Sequence, residues 1–173
     1  MVLGHGFEGL DRFAVVSSHL AHTRTIAPRK EQLRVAAVLR AVGPALSRTL
    51  GYMPGKRLGI GENMPTAAMV EWGSWARRPG YFFDDPSMDA TARAAAVTQD
   101  VLALGASDDP WASPAQMRAL TGRLTSAAVE HRTFTPEQLG VARIGHHGLF
   151  RRSAADAAWP GLVDWLTAPS PQG

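Results

Sequence analysis

The sequence contains no cysteine. That absence excludes a disulfide framework and a thiolate metal site, and it fits a reducing compartment such as the cytoplasm. No apolar run approaches the roughly 20 residues of a membrane-spanning helix. The first residues lack the basic start and long apolar stretch of a secretory signal. A cytoplasmic protein with no membrane partner and no cofactor is therefore expected. No internal repeat stands out. Net charge is also small, at +3, but it is unevenly spread. From Arg24 to Arg57 there are eight Lys/Arg and a single acid, Glu31. That stretch reads as a solvated face with arginines laid along apolar surface. It matches no nucleic-acid-binding motif, so no nucleic-acid partner is expected.

What is present suits a folded α/β domain. At 173 residues and 45% hydrophobic, the chain is long enough for one domain with a real core and short for two. Met1–Leu3 is too short for a whole strand, so the chain is expected to begin in mid-architecture. Gly4-His5-Gly6-Phe7-Glu8-Gly9 spells G-x-G-x-x-G, but it lacks the full preceding strand and following helix that a dinucleotide site needs, and reads as a glycine-rich turn. Phe13–Ser17 is a continuous apolar run, the pattern of a strand buried on both faces. Ser18–Lys30 is polar loop. His19 and His22 lie three apart, a spacing that suits a metal on a helix, yet no third ligand is near and both read as solvated loop histidines.

Residues 31–96 read as a mostly helical insertion. Glu31–Leu50 is a helix that Pro44 should kink or split, ended at Gly51. Thr66–Arg77 is a helix with Thr66 as a candidate cap; it carries Trp72 and Trp75 on one face, read as core or as lining of a substrate pocket. Asp89–Ala96 is alanine-rich and helical. Beyond it, Val101–Leu104 reads as a buried strand, and Ser113-Pro114 with Gln116 opens a helix. Val129–Phe134 is the last strand. Thr135-Pro136-Glu137-Gln138 repeats the cap device, Ser153 is expected to cap a helix, and Trp159-Pro160 to break it. The order strand, helical insertion, strand, helix, strand, helix favours parallel strands with helical crossovers. The division expected is a partial core of 1–30 and 97–173 around the insertion.

Two stretches concentrate the chemistry. Val101–Pro114 places Asp108-Asp109-Pro110-Trp111 directly after a strand, and Ile144–Arg151 places His146-His147 between glycines. A carboxylate that orients and charges an imidazole, and an imidazole that moves a proton, is the main use of such a pair. The plainer alternative is an aspartate that caps its own turn and a satisfied loop histidine. A nucleophile should lie earlier in the chain, and none is found; Ser17 and Ser18 read as the end of a strand.

With these motifs in order, the chain resembles the C-terminal half of an α/β-hydrolase, in a bacterial serine-hydrolase-like branch. The likeness is carried by Gly51-Tyr52-Met53-Pro54-Gly55-Lys56-Arg57-Leu58-Gly59, by Glu71-Trp72 through Arg77-Arg78-Pro79-Gly80-Tyr81, by Asp108-Asp109-Pro110-Trp111 and by Gly145-His146-x-Gly-x-Phe-Arg. It covers nearly the whole chain. The resemblance implies an incomplete α/β-hydrolase fold of about three parallel strands with flanking helices and a helical lid, and acyl or ester hydrolysis of a small-molecule substrate. It implies His146 as the catalytic histidine and Asp109, or else Asp108, as its acid. His147, Trp111, Trp72 and Trp75 are the candidate substrate contacts. The serine elbow and the oxyanion-hole half are missing from the pattern, which implies a chain inactive or weak alone. Its exposed sheet edge would invite self-association or a partner. A non-catalytic binding protein that uses the lid and that edge is the alternative.

Overall fold

The computed structural model describes residues 9–58 and 62–169. The Gly4–Gly9 motif, apart from Gly9, residues 59–61 and the tail from 170 lie outside the described residues. In chain order the elements are β1 (Arg12–Val16), α1 (Arg29–Ala37), a π-helical turn (Val38–Val42), α2 (Gly43–Leu50), β2 (Tyr52–Met53), β3 (Met64–Pro65), α3 (Thr66–Trp75), α4 (Ala90–Ala95), β4 (Asp100–Ala106), α5 (Pro114–Thr121), β5 (Val129–Phe134) and α6 (Arg152–Thr167). Two compact units result: residues up to Leu20 together with Asp89 onward, and Ala21–Met88. Residues 21–30 thus fall with the helices rather than with the sheet. The Thr23 amide donates to the Ala76 carbonyl at 3.3 Å, which ties that segment to the end of α3.

The first unit is an α/β layer. Its sheet has the order β1-β4-β5, and both pairings are parallel. Central β4 is buried from Val101 to Ala106, as the unbroken apolar run Val-Leu-Ala-Leu requires of a strand covered on both faces. β1 corrects its reading: among the described residues it is an outer strand, and each of its residues is only half-buried. An apolar run records what a strand's two faces meet, not whether it has one neighbour or two. On one face Leu102, Leu104 and Ala106 pack with Leu149, Ala154 and Ala158, joined by Val16, Phe134, Leu162 and Trp165. On the other, Ala103 packs with Ala112 and Met117. Gly105 lets Met117 lie close, since a β-carbon on it would sit 2.3 Å from the Met117 sulfur and would make that side chain shift.

α5 begins as its sequence predicts, with the Ser113 hydroxyl accepting from the Gln116 amide at 3.4 Å. Three other predictions fail. Thr135 and Gln138 do form the reciprocal box, Thr135 N–H to the Gln138 side chain at 2.8 Å and Gln138 N–H to Thr135 Oγ1 at 3.3 Å. The box opens onto a turn and not a helix, because Gly140 turns left-handed at φ +62°. Ser153 is not a cap; α6 starts at Arg152 with Arg151 before it and no side-chain cap bond. Nor does Pro160 break α6, which runs through it to Thr167. Burial of Ala154 and Ala158 against the sheet, continued by Leu162, holds the helix across the missing bond.

The second unit is helical. α1, the π turn and α2 follow one another directly from Arg29 to Leu50. Pro44 lies just past the π turn, as expected of a residue that cannot donate and that crowds the preceding turn. Gly51, at φ +78°, ends α2 left-handed. α3 packs on the π turn through Gly73, where a β-carbon would sit 2.4 Å from the Leu39 carbonyl oxygen. Thr66 is not the cap of α3; its hydroxyl donates to the Ser47 carbonyl at 2.7 Å. Leu39, Met53, Met69 and Ala76 form the core of this unit, with Trp72 packed against it. Among the described residues, no helix of the chain is long and apolar enough to cross a membrane.

Candidate functional site

The carboxyl ends of the three parallel strands lie side by side, and the loops that leave them supply the site. Ligand sites of open α/β sheets gather at that edge. The Ser107 amide donates to the Phe134 carbonyl at 2.9 Å and the Asp109 amide to Ala106 at 3.3 Å, which fixes the turn after β4. The Ser17 amide donates to Leu104 at 2.8 Å and fixes the end of β1.

The two adjacent aspartates point to different partners. Asp109 is 3% exposed. Its Oδ1 accepts from the amides of Trp111 at 2.8 Å and Ala112 at 3.0 Å, an Asp turn. Its Oδ2 lies 2.9 Å from His146 Nδ1. Asp109 therefore caps its own turn and engages the imidazole at once, so the two readings of that residue coexist. Asp108 does not face the ring. Its Oδ2 accepts from the Ile144 amide at 3.0 Å and its Oδ1 from the Gly145 amide at 2.9 Å. It clamps the loop that carries His146, and Gly145 at φ +62° supplies the left-handed turn that aims both amides at one carboxylate.

Electrostatics follow from this bonding. Burial by itself would push the Asp109 carboxyl up. The hydrogen bonds from His146, Ala112 and Trp111, helped by the imidazole's charge, outweigh it and hold Asp109 below the ordinary carboxylate range. An ionised Asp109 accepts the Nδ1 proton of His146, which leaves the lone pair on Nε2. An imidazole so held can take a proton at Nε2 and return it.

Three rings surround that imidazole. Trp111 lies 4.9 Å away, tilted by 45°, and His147 lies 4.7 Å away, at 62°. Both were candidate substrate contacts, and both pack on His146. The third ring is His19, edge-on at 5.4 Å. It is not a solvated loop residue: burial, and then the charge of His146, push it from the usual 6.5 to about 4. Its Nδ1 bonds to the Leu20 carbonyl at 3.2 Å. Burial and the same neighbour also lower His147. His19 is the residue that sequence reasoning missed. The available signal was its place three residues past the end of β1, on the same sheet edge as the aspartates. His22 is likewise buried, and its Nδ1 has no hydrogen-bond partner among the described residues. Among the described residues, no cluster of three His, Asp or Glu side chains is arranged to hold a metal.

Trp72 and Trp75 belong to the helical unit. Trp72 is half-buried on the Leu39–Met69 core. Trp75 donates its indole N–H to Asp85 Oδ2 at 2.7 Å and stacks edge-on with Tyr81 and Phe82. Neither serine near His19 offers a hydroxyl to the imidazole. Ser17, at φ +47°, buries an Oγ that has no partner among the described residues, and Ser18 Oγ donates to the Val16 carbonyl at 3.3 Å.

No protein-family model matches the chain, and no curated protein matches it in sequence. Two solved structures from Mycobacterium tuberculosis bear a distant likeness to it. Rv0554 has 15% identity and a TM-score of 0.38 over 89% of this chain. BpoC of strain H37Rv, named for a non-heme bromoperoxidase, has 16% identity and a TM-score of 0.38 over 91%. The chain spans 55% and 59% of the lengths of those two chains.

Proposed function

We propose that this chain carries the acid–histidine arm of a serine-hydrolase-like acyl or ester hydrolase. His146 is the general base and Asp109 the carboxylate that orients it. The observation that carries this reading is the 2.9 Å bond between Asp109 Oδ2 and His146 Nδ1, made by a buried acid at the carboxyl edge of a parallel sheet. Asp108 positions the histidine loop, and Trp111 and His147 flank the acyl group. Among the described residues no hydroxyl is bonded to the imidazole, Ser17 Oγ being without a partner and Ser18 Oγ donating to the Val16 carbonyl, so the base has water to activate. Turnover by this chain alone is accordingly slow and passes through no acyl-enzyme.

The test uses an activated ester such as p-nitrophenyl butyrate, with a fluorophosphonate probe alongside. The reading expects slow hydrolysis above buffer, no covalent labelling, and a loss of about tenfold or more in His146→Gln and in Asp109→Asn. Hydrolysis that both variants leave unchanged would remove His146 from the chemistry. Fluorophosphonate labelling of the chain would overturn the absence of an activated serine. The second reading is a non-catalytic protein that binds a partner through the sheet edge. It draws on β1 and β5 each pairing with β4 alone among the described residues, and it gains if esters are untouched while the chain self-associates.

A further inference from the structure

The helical run from Arg29 to Leu50 buries one side only. Leu39, Gly43 and Ser47, spaced four apart, are buried. On the opposite side Leu33, Ala37, Ala41 and Ala45, also four apart, are exposed, Leu33 by 62%. Side chains at that spacing form one line along a helix. Exposed cations surround it: Arg29, Lys30 and Arg34 at its first turns, Arg40 midway and Arg48 at its last. Val42, Leu50, Tyr52 and Leu58 are further exposed apolar side chains of this unit. The unit Ala21–Met88 holds ten Lys/Arg against five Asp/Glu. Arg34 is paired with Glu31 at 2.6 Å and Lys56 with Glu62 at 2.8 Å. Arg29, Lys30 and Arg48 make no ion pair among the described residues.

A helix face left to water is normally polar throughout, and a single exposed leucine on it needs no explanation. An apolar line edged by cations along several turns is a different pattern. It is what a helix needs to lie in a bilayer interface, with apolar side chains at the acyl boundary and Lys/Arg among the phosphates. Nucleic acid would use the cations and polar or stacking side chains, and would leave Leu33 and Val42 without a role. We propose that this face docks on the surface of an anionic phospholipid bilayer. Leu33 and Val42 enter the headgroup boundary, and Arg29, Lys30 and Arg48, unpaired among the described residues, meet the phosphates. The lack of a spanning segment, from which no membrane partner was expected, bears on crossing a bilayer and not on lying against one. The proposal stands apart from the hydrolase reading.

The test is co-sedimentation of the full chain with vesicles of phosphatidylcholine alone and of phosphatidylcholine mixed with phosphatidylglycerol. Arg29→Glu/Lys30→Glu and Leu33→Ser alter exposed side chains, and far-UV circular dichroism checks that each keeps its fold. The chain should bind the anionic vesicles, bind the neutral ones weakly and bind less as salt rises. The double charge reversal should lower partitioning by more than about tenfold, and Leu33→Ser by about threefold or more. Absence of binding to anionic vesicles overturns the proposal. So does equal binding to neutral ones, or binding that Leu33→Ser leaves unchanged. Retention by duplex DNA without vesicle binding also overturns it and assigns the charges to nucleic acid.

Discussion

Asp108 and Asp109 share a side chain and a turn, yet they serve different partners. Asp108 satisfies two backbone amides of the histidine loop, while Asp109 holds the imidazole and its own turn. Removing Asp108 orphans two partly buried donors, each of which costs about 1–3 kcal/mol when left unpaired. Asp108→Ala should therefore lower unfolding stability by about 2 kcal/mol or more in urea titration, and speed hydrogen exchange at Ile144 and Gly145. Unchanged exchange there would mean that the clamp is not formed. That an acid and a histidine meet was legible from the spacing of turn and loop. Which aspartate does so was not, because neighbours in a turn differ only in where the backbone aims them. His19 was illegible for a related reason: a histidine in a polar stretch reads as solvated until the strand before it is known to end beside the site.

At the scale of elements, the buried β4 and the capped α5 were plain from an apolar run and from Ser-Pro-x-Gln. Signals of start and stop were less faithful. The Thr135–Gln138 box forms without nucleating a helix, since Gly140 diverts the chain. Pro160 fails to stop α6, since its neighbours on the buried side are already packed. Local propensity weighs a few kcal/mol at most, and burial of a helix face can exceed it. Pro160 remains a local cost: its ring excludes one helical hydrogen bond and crowds the turn before it. Pro160→Ala should stabilise the protein by about 1–3 kcal/mol, read as a higher melting temperature with unchanged far-UV spectrum. A lower melting temperature would show that the proline is needed where it stands.

For the whole molecule, three groups of the site shape the acid side of stability: His19, His147, lowered in the same sense by burial and by His146, and Asp109. Burial first, and the neighbouring His146 second, hold His19 at about 4 in the folded chain, whereas an unfolded imidazole binds its proton near 6.5. Between those values the unfolded chain carries a proton that the folded one refuses, so stability falls as pH drops from about 6.5 towards 4. Asp109 acts lower. Its folded carboxyl titrates below the ordinary range, so its contribution is present above about pH 4 and is lost on further acidification. His19→Phe keeps a ring in place and removes the first effect alone. Melting temperatures at pH 7 and pH 5 should differ less in His19→Phe than in the parent chain; an equal drop would remove His19 from this account. The α/β class was legible at this scale from the alternation of strands and helices. The outer position of β1 among the described strands was not, because strand order is a property of the assembled sheet.

The most direct test of the central claim is proton nuclear magnetic resonance of the His146 ring. A bond from Nδ1 to a buried, ionised Asp109 should give an exchange-protected imidazole N–H resonance at low field. The account predicts that this signal disappears in His146→Gln and in Asp109→Asn and survives in Asp108→Asn. A signal that persists in Asp109→Asn, or one that Asp108→Asn alone abolishes, would contradict it.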